Sequence, residues 1–252
     1  MKDNQTLIFV SDVHSQHQKL ESALTWCTEN FENCYYCYLG DIFDSRLDNH
    51  EKNYPPFSDS RITYWLVRDT IKYNEGVLLQ SNHQDKLRRW LHHNLTNPEK
   101  KNPVTVNYGL DYTLAQFVEP MTIEEKWDLH DWIVELPYHV VIESYDLQHD
   151  CQTSFLCSHA YFNTAVNLEN PSKKHKQEAL YGLLDESNQR VDWWSQDNPV
   201  LFYGKTQEYV RVAGHYHLVS RGLYNRVIDA GCGSTAGSLC VHIPAYGLYQ
   251  EF

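Results

Sequence analysis

The segment LIFVSDVH, residues 7–14, places an aspartate and a histidine two positions apart, directly after an apolar run of four residues. A short apolar run of this kind is typical of a strand that is buried on both faces, as in a parallel sheet. Apolar residues then recur at helical spacing over residues 16–27, and a second apolar run ends at Leu39, two residues before Asp41. Strand, helix and strand in this order predict a right-handed βαβ unit, in which Asp12 and Asp41 follow neighbouring parallel strands.

The rest of the chain continues this pattern and then becomes rich in strands. Helices are predicted over residues 61–73 and 85–95, with a short strand over residues 77–80 between them. The capping-box pattern TIEE, residues 122–125, predicts the start of a further helix that ends before Pro137. Later strands are predicted over residues 138–142, 153–157, 210–213, 224–229 and 238–243. We therefore expect an α/β fold, a two-sheet β-sandwich flanked by helices, that forms a single domain over residues 1–252.

Polar segments interrupt these elements. Residues 47–60 are predicted as a surface loop, and residues 97–106 as a solvated loop or a lid. Residues 170–198, which contain several lysines and two adjacent tryptophans, are predicted as a helix or a loop that lies over the site. Within this segment the run KKHK, residues 173–176, fits either a solvated surface or a contact for an anionic substrate.

Composition limits the classes of function. The chain of 252 residues has 21 Lys and Arg against 33 Asp and Glu, a formal charge of -12 that argues against broad binding to nucleic acid or anionic membrane. No apolar run approaches the length of a signal peptide or a membrane span, so a cytoplasmic location is expected. Seven scattered cysteines then indicate reduced thiols. The segment CYYC, residues 34–37, has the spacing of a redox or zinc pair, but its apolar surroundings favour ordinary strand packing.

Each of five predicted strands ends at residues of types that bind metal ions. They are Asp12 and His14, Asp41, Asn82 and His83, His159, and His215 and His217. Each motif alone is weak evidence, because Asp-x-His also occurs at residues 48–50 and 128–130. In an open α/β sheet, however, the carboxyl ends of the strands meet at one edge. Imidazole, carboxylate and amide oxygen suit zinc, manganese or iron, so the sequence predicts a site where two ions could bind a phosphoryl group.

These motifs, in this order, resemble those of the calcineurin-like metallophosphoesterases: Asp-x-His, Gly-Asp-x-x-Asp-Arg, Gly-Asn-His-Asp or Glu, a lone His, and Gly-His-x-His. The resemblance implies two divalent metal ions, with manganese as the first choice and iron, zinc or nickel as alternatives. It implies one ion on Asp12, His14, Asp41 and His217, and the other on Asp41, Asn82, His159 and His215. It also implies that His83 acts on the leaving oxygen and that Asp44 orients this histidine.

A narrower resemblance covers nearly the whole chain. The segments NHQDKLRRWL (residues 82–91), YGL (108–110) and TLAQ (113–116) are similar to the phosphatase domain of bacterial polynucleotide kinase-phosphatase. Relatives of that domain include the PPP-type serine/threonine phosphatases and the diadenosine tetraphosphatases. Ser45 stands where the family motif has an arginine, a residue that would bind the substrate phosphate with two hydrogen bonds. Arg46, the next residue, is predicted to take this role, and the resemblance implies Arg89 as a second substrate-binding residue.

The predicted function is a metal-dependent phosphoesterase that hydrolyses phosphomonoesters, with a hydroxide that bridges two ions as the nucleophile. Its substrate would be a polynucleotide terminus, a phosphoprotein or a nucleotide. The alternatives in this class are a diadenosine tetraphosphatase-like or a phosphodiesterase activity. Departures from the family pattern at Ser45, Ser81 and Gln84 also leave open a binding module of the same fold with weak or no catalysis. No membrane partner is expected, and the sequence leaves the oligomeric state open.

Overall fold

The two-sheet sandwich flanked by helices is confirmed by the computed structural model, which describes residues 5–45, 58–161, 171–195, 200–201, 208–232 and 237–252. The strands are β1 (Thr6–Val10), β2 (Cys34–Tyr38), β3 (Gly76–Leu78), β4 (His139–Asp146), β5 (Cys151–Ser158), β6 (Val200–Leu201), β7 (Glu208–Ala213), β8 (Val219–Arg221), β9 (Asn225–Ile228), β10 (Cys240–Ile243) and β11 (Leu248–Glu251). The α-helices are α1 (His17–Asn30), α2 (Ser60–Asn74), α3 (Asn82–Thr96), α4 (Leu110–Thr113), α5 (Ile123–Glu135) and α6 (Lys173–Tyr181). Across these ranges, none of the helices combines the length and the apolar character that crossing a membrane requires.

The two sheets differ in how their strands run. The first has the order β11-β10-β1-β2-β3, in which β1, β2 and β3 are parallel and β10 is antiparallel to β1. The second has the order β4-β5-β7-β9-β8, with β6 paired to β7. Its central strands β5, β7 and β9 are parallel to one another. Each sheet therefore has a parallel centre whose strands end at a common edge, where loops with functional residues can meet.

Alternate residues of the central strands face two different apolar layers. Leu7 and Phe9 of β1 pack between the two sheets, against residues such as Phe155 of β5. Ile8 and Val10 point to the other face, where they pack against the helices. A strand with both faces covered needs apolar residues at every position, which explains the uninterrupted run at the start of the chain.

The predicted βαβ unit is confirmed, and its register joins the loops that follow β1 and β2. Residues 6–10 pair in parallel with residues 34–38, so both strands end at the same level. Beyond the strands, the backbone N–H groups of Val13 and His14 both donate to the carbonyl oxygen of Asp41, at 3.0 and 2.7 Å. The two loops are thus held side by side before any side chain is considered.

The starts of α5 and α3 are both determined by N-capping residues. The capping box at the start of α5 is present as expected: the Thr122 N–H donates to Glu125 Oε2 (2.7 Å), and the Glu125 N–H donates to Thr122 Oγ1 (3.2 Å). By contrast, α3 begins at Asn82, three residues before the predicted start at residue 85. Its N-cap is Ser81, whose hydroxyl accepts from the Gln84 N–H, so capping chemistry and not apolar periodicity determines the start. This difference places Asn82 and His83 in the first helical turn.

Some sequence features lie in irregular or undescribed parts of the chain. The predicted surface loop at residues 47–60 lies outside the described residues except for its last three. Residues 97–106 form an irregular, mostly exposed segment, as predicted. Cys34 and Cys37 lie on β2 as buried free thiols, which agrees with the interpretation of strand packing. A short π-helix at Leu114–Val118 follows α4 directly, and the sequence analysis did not predict it.

A buried group of charged and polar side chains joins the two sheets away from the strand ends described above. Arg226 of β9 donates to both carboxylate oxygens of Asp146, with an Nη1–Oδ1 distance of 3.2 Å and an Nη2–Oδ2 distance of 2.5 Å. Its Nη1 also lies 3.1 Å from Nε2 of His242 on β10. Since arginine only donates, His242 Nε2 accepts, while its Nδ1–H donates to the Leu248 carbonyl (3.0 Å). His242 is therefore neutral in the folded protein.

Stability should fall in mild acid because of this neutral histidine. Burial, together with the charge of Arg226, lowers the pKa of His242 to about 3. The unfolded chain takes up a proton near pH 6.5, so the unfolded state binds more protons between these values and the free energy of unfolding decreases as pH falls. Between pH 7 and pH 5 we expect about 2 kcal/mol of loss from His242 alone. Asp146 and Arg221 also act on this histidine, and Tyr249 stacks on its ring. The Asp146 carboxylate lowers the free energy of unfolding further only at lower pH, because its own pKa is below the usual value.

The measurement is urea unfolding of the chain at pH 7 and pH 5. His242→Gln keeps an acceptor for Arg226 and a donor for the Leu248 carbonyl, but it cannot titrate. Its free energy of unfolding should therefore decrease between pH 7 and pH 5 by about 2 kcal/mol less than that of the unmodified chain. His92→Gln, at an exposed position on α3, is the matched control and should keep the full dependence. Equal pH dependence in His242→Gln and the unmodified chain would contradict the assignment.

Candidate metal centre

Five loops that follow strand ends bring buried histidine and aspartate side chains to one place. These loops follow β1, β2, β3, β5 and β7. Two groups of side chains there have ligand atoms within 4.8 Å of one another, and both are buried. One group consists of His14, Asp41 and His83, and the other of Asp41, His159 and His215. The convergence expected at the carboxyl ends of the strands is therefore observed, with Asp41 in both groups.

Asp41 is a buried carboxylate that faces imidazole rings. Its Oδ2 lies 3.5 Å from His159 Nε2, 3.6 Å from His14 Nε2 and 3.9 Å from His83 Nε2. Burial alone would raise the pKa of the Asp41 carboxyl, but the charge that the surrounding imidazoles, His159 first, carry when they are protonated holds it well below its usual range. Among the described residues, no lysine or arginine is paired with this carboxylate. The centre therefore has a negative charge in its interior that calls for a cation.

The group around His159 has the chemistry of a cation site. The Nδ1–H of His159 donates to the Leu39 carbonyl (2.9 Å), so in the neutral ring Nε2 carries a lone pair. That lone pair faces Asn82 Oδ1 at 2.7 Å and His215 Nδ1 at 3.0 Å. An imidazole lone pair and an amide oxygen this close together can both coordinate one cation. The residues present therefore fit a divalent ion that binds oxygen and imidazole nitrogen.

Burial keeps these imidazoles in the state that a metal requires. It is the largest cause of a lowered pKa at His159. The pKa of His215 is lowered further, by burial and then by the neighbouring His159. His215 Nε2 is buried without a hydrogen-bond partner in the part of the chain that the structure describes. Neutral rings with free lone pairs coordinate metal ions, whereas protonated rings cannot.

A backbone carbonyl orients the His14 ring, as the Leu39 carbonyl orients His159. The Nδ1 of His14 lies 3.1 Å from the backbone carbonyl oxygen of Asp44, so its N–H donates there and Nε2 is turned towards Asp41. A backbone carbonyl that fixes the tautomer in this way is a common support for metal-binding histidines. The His83 ring stands perpendicular to that of His14, with 5.1 Å between the ring centroids.

Two of the predicted ligands lie near these groups but outside both of them. The Asp12 carboxylate accepts from the backbone N–H of His215 (2.8 Å) and lies 3.7 Å from His159 Nδ1. The backbone N–H of His217 donates to Asp229 (2.7 Å), and this histidine is exposed. In the structure His83, and not Asp12 or His217, completes the group around His14. The assignment of individual ligands to two ions stays a prediction.

His83 and Asp44 form the predicted hydrogen-bonded pair. His83 Nδ1 lies 2.8 Å from Asp44 Oδ2, and both side chains are buried. Since an ionised carboxylate only accepts, the ring nitrogen donates and the opposite nitrogen, Nε2, faces the metal groups. The backbone N–H of His83 donates to Asp41 Oδ1 (3.3 Å), which ties the first turn of α3 to the same centre.

The backbone at this centre is strained. Asp41, Asp44, His14, His215 and His217 all have positive φ angles, between 42 and 69°. Such a conformation is uncommon for residues other than glycine, and its concentration here is typical of a functional site. Two glycines here are required by close approach: Gly40 has a φ of +119° and a Cβ there would lie 2.7 Å from His159 Nδ1, while a Cβ at Gly214 would lie 2.2 Å from Asp12 Oδ1.

Of the two predicted substrate-binding residues, the structure describes one. Arg46 lies outside the described residues. Arg89 is half exposed on α3, where its Nε donates to Asp85 (2.9 Å) and its Nη2 reaches the Tyr181 hydroxyl at 3.5 Å. Ser45, the residue in place of the family arginine, is buried and accepts from the Gln16 amide at 3.3 Å. It therefore belongs to the interior behind the site.

The segment predicted as a helix or a loop over the site, which is described at residues 171–195, packs on the loop that bears His215. It contains α6 and then a turn back on itself, in which Leu184 and Arg190 form an antiparallel bridge. Trp193 Nε1 donates to the Tyr216 hydroxyl at 3.0 Å, which anchors the returning arm beside the metal groups. The prediction that this segment lies over the site agrees with these contacts.

Arg190 is a cation beside the site that the sequence analysis did not single out. It is exposed, and among the described residues no carboxylate forms an ion pair with it. Although burial and the neighbouring His159 have larger effects, the positive charge of Arg190 also lowers the pKa of His215. Trp193, three residues further on, contacts Tyr216 next to His215, so Arg190 belongs to a segment that packs beside the metal groups. No motif surrounds Arg190, so only the fold reveals this proximity.

Removal of the shared carboxylate tests the centre independently of any activity. We expect Mn²⁺ to raise the Tm of the chelator-treated chain, because an ion that binds only the folded state stabilises it. Asp41→Asn removes the charge common to both groups and should abolish this rise, whereas His92→Asn at an exposed position of α3 should retain it. A full rise in Tm with Asp41→Asn, measured by differential scanning calorimetry, would contradict the site.

Comparison with known proteins finds similarity in structure only. No family model matches the sequence. No curated protein matches it either. Among solved structures, one of a putative diadenosine tetraphosphatase superposes with a TM-score of 0.62 and 14% identity, over 100% of this chain and 94% of that chain. A protein serine/threonine phosphatase from Saccharomyces cerevisiae, with similarity to human phosphatase PP5, has a TM-score of 0.55 and 11% identity, over 99% and 80% of the two chains.

A third structure, hypothetical protein PH1004 from Pyrococcus horikoshii, has a TM-score of 0.50 and 12% identity, over 98% of this chain and 87% of that chain. At these identities the superpositions establish the fold and leave the activity open. The phosphatase structures among these neighbours agree with the resemblance that the motifs indicated. The chain has the fold of the calcineurin-like metallophosphoesterases.

Proposed function

We propose that this protein is a metal-dependent phosphoesterase that hydrolyses phosphomonoesters. The observation that carries the proposal is the shared carboxylate: Asp41 takes part in two buried groups of potential metal ligands. A carboxylate between two such groups is what a site for two neighbouring ions needs. The fold supports the same class, since two of the similar structures are described as phosphatases.

The residues that would hold the ions follow from the geometry and from the motif. For one ion, Asp41, Asn82, His159 and His215 have converging ligand atoms. For the other, His14 and Asp41 converge, and Asp12 and His217 are added on the motif. Divalent ions at these positions would supply Lewis acidity, which neutralises phosphoryl charge and lowers the pKa of an attacking water. Manganese is the proposed ion, with iron, zinc or nickel as alternatives.

His83 and Asp44 are proposed to assist departure of the leaving group. Asp44 accepts from the Nδ1–H of His83, so the Nε2 of this ring is directed towards the site. A protonated ring can then give the Nε2 proton to the leaving oxygen, while Asp44 stabilises the charged imidazolium. Both groups are buried, which keeps competing water away from the pair.

Arg190 is proposed to bind the substrate phosphate, a role for which the family motif would have an arginine at residue 45. Arg190 is exposed, and it lies three residues from Trp193, which contacts Tyr216 beside His215. Charge-assisted hydrogen bonds from arginine to phosphate are strong and directional. Arg89 is a second candidate, although Asp85 already accepts from its Nε.

A dinucleoside polyphosphate is a second candidate substrate. It is favoured by the structural similarity to a putative diadenosine tetraphosphatase, with a TM-score of 0.62. The net charge of -12 disfavours tight binding to long nucleic acid, but it does not oppose a nucleotide or a single phosphorylated end. A phosphoprotein is the remaining candidate, in line with the similar serine/threonine phosphatase structure.

Hydrolysis of para-nitrophenyl phosphate and of its bis-ester tests the proposed class. Chelator-treated protein should be inactive, and Mn²⁺, Ni²⁺, Zn²⁺ or Mg²⁺ restored separately should recover turnover of the monoester above that of the bis-ester. His83→Ala should lower kcat by about 100-fold or more, because general acid catalysis is lost. His92→Ala, on the exposed face of the same helix, should keep normal turnover. Absence of hydrolysis with every metal would favour the binding-module alternative.

The role of Arg190 predicts a change in substrate affinity. Arg190→Gln should raise the KM for a phosphomonoester about tenfold with a smaller change in kcat, since a charge-assisted hydrogen bond contributes about 1.5–3 kcal/mol. Arg221→Gln, an exposed arginine that stacks on Tyr249, is the control and should leave KM unchanged. An unaltered KM in Arg190→Gln would remove this residue from the proposed site.

A further inference from the structure

Asp44 is held by a hydroxyl from a distant part of the chain. The Thr113 Oγ1, at the end of α4, lies 2.7 Å from Asp44 Oδ1, the carboxylate oxygen that does not bind His83. The backbone N–H of Asp44 donates to the same hydroxyl oxygen (3.0 Å). Thr113 has no exposed surface. One threonine therefore contacts both the side chain and the backbone of the residue that orients the histidine.

The directions of these hydrogen bonds follow from counting donors. The Thr113 hydroxyl has one proton, which it must give to Asp44 Oδ1 because an ionised carboxylate only accepts. Its two lone pairs then accept from the Asp44 N–H and from the Ser60 hydroxyl, which lies 3.2 Å away. Ser60 in turn accepts from the hydroxyl of Ser15 (2.8 Å). The chain of hydroxyls is thus polarised in one direction, from Ser15 to Asp44, and every member has a partner.

The backbone around Asp44 needs this support. Asp44 has a φ of 64°, an uncommon conformation that costs about 1–3 kcal/mol unless its surroundings hold it. The segment that carries Thr113 can approach only because residue 109 is a glycine. Gly109 has a φ of +84°, and a Cβ there would lie 2.2 Å from the Ser45 carbonyl oxygen. The turn at Gly109 and the strained loop at Asp44 are therefore built to fit each other.

We propose that Thr113 is a positioning residue for the reaction. By donating to Asp44 Oδ1, it holds the carboxylate so that Oδ2 faces His83 Nδ1, and it thereby fixes the tautomer in which His83 Nε2 is directed towards the leaving oxygen. The inference rests on the proposed function for its chemical meaning. The hydrogen bonds from Thr113 to Asp44 and from His83 to Asp44 do not involve the substrate, so they can be tested in the protein alone.

The role predicts a dependence on the leaving group. A phosphoester with a poor leaving group, such as an alkyl phosphate, needs a proton at the departing oxygen, whereas an activated aryl phosphate such as 2,4-dinitrophenyl phosphate departs without one. Loss of the Thr113 hydroxyl should therefore lower kcat for the alkyl ester by about 100-fold and for the activated ester by less than about threefold. A purely structural role would lower both by the same factor.

The first measurement needs no substrate. In the chelator-treated chain, the His83 Nδ1–H proton should give a downfield NMR signal at fixed pH, assigned by its loss in His83→Gln. Thr113→Val, which replaces the hydroxyl by a methyl group of similar size, should remove this signal or move it strongly upfield. Thr113→Ser, which keeps the hydroxyl, should restore it. Thr70→Val is the matched control, because the buried Thr70 hydroxyl donates to the Leu66 carbonyl in its own helix, away from the site.

The second measurement is kcat for the alkyl and the activated ester in the same variants. A loss that is confined to the alkyl ester in Thr113→Val and is rescued in Thr113→Ser supports the proposal. An unchanged His83 signal in Thr113→Val, or an equal loss for both esters, overturns it. If Thr113→Val does not fold, Thr113→Ala, which removes the same hydroxyl and leaves a smaller side chain, is tested instead. The same results then support or overturn the proposal.

The two hypotheses fail in different ways. If the unmodified chain hydrolyses no phosphoester with any metal, the proposed function is wrong, but the NMR signal still decides whether Thr113 positions the Asp44–His83 pair. If hydrolysis is observed and the signal does not respond to Thr113→Val, the function stands and the positioning role is wrong.

Discussion

The buried carboxylate of Asp41 is the feature on which the rest of the site depends. Its backbone carbonyl accepts from Val13 and His14, which ties together the loops after β1 and β2. Its side chain faces three imidazoles, and among the described residues neither lysine nor arginine pairs with it. A buried anion is costly without a cation. Because burial lowers the pKa of His159 and His215, protonated rings are disfavoured as that cation, and a metal ion fits better.

The supports around Asp41 use the backbone more than other side chains. Carbonyl groups of Leu39 and Asp44 accept from the rings of His159 and His14 and so turn the opposite nitrogens inwards. These carbonyls lie in loops with positive φ angles, which the register of β1 and β2 and the packing of α3 hold in place. Backbone supports of this kind fix the direction in which each ring nitrogen faces.

Much of this arrangement could be predicted from the sequence because strong local signals carry it. The apolar runs before Asp12 and Asp41 identified two buried parallel strands, and their parallel direction then placed both aspartates at one edge. The capping box at Thr122 was equally local. By contrast, α3 begins three residues before the start that apolar periodicity predicts, because its first turn contains polar site residues and no apolar repeat.

Other features depend on contacts between distant segments, and no pattern within either segment encodes them. Arg190 lies in a turn that Trp193 anchors on Tyr216, and Thr113 meets Asp44 across 69 residues of sequence. The buried Arg226–Asp146 pair is a third case, in which residues 80 positions apart meet inside the sandwich. In each case the residue type is ordinary, and only the tertiary structure reveals its surroundings.

Diffraction from crystals of the chelator-treated chain soaked with Mn²⁺ tests the central claim most directly, since manganese has a measurable anomalous signal. The account predicts two anomalous peaks about 3.5–4 Å apart, one on each side of the Asp41 carboxylate. One of them should lie among Asn82, His159 and His215, and the other beside His14. Anomalous peaks that avoid Asp41, or no peak at this edge of the sheets, would contradict the account.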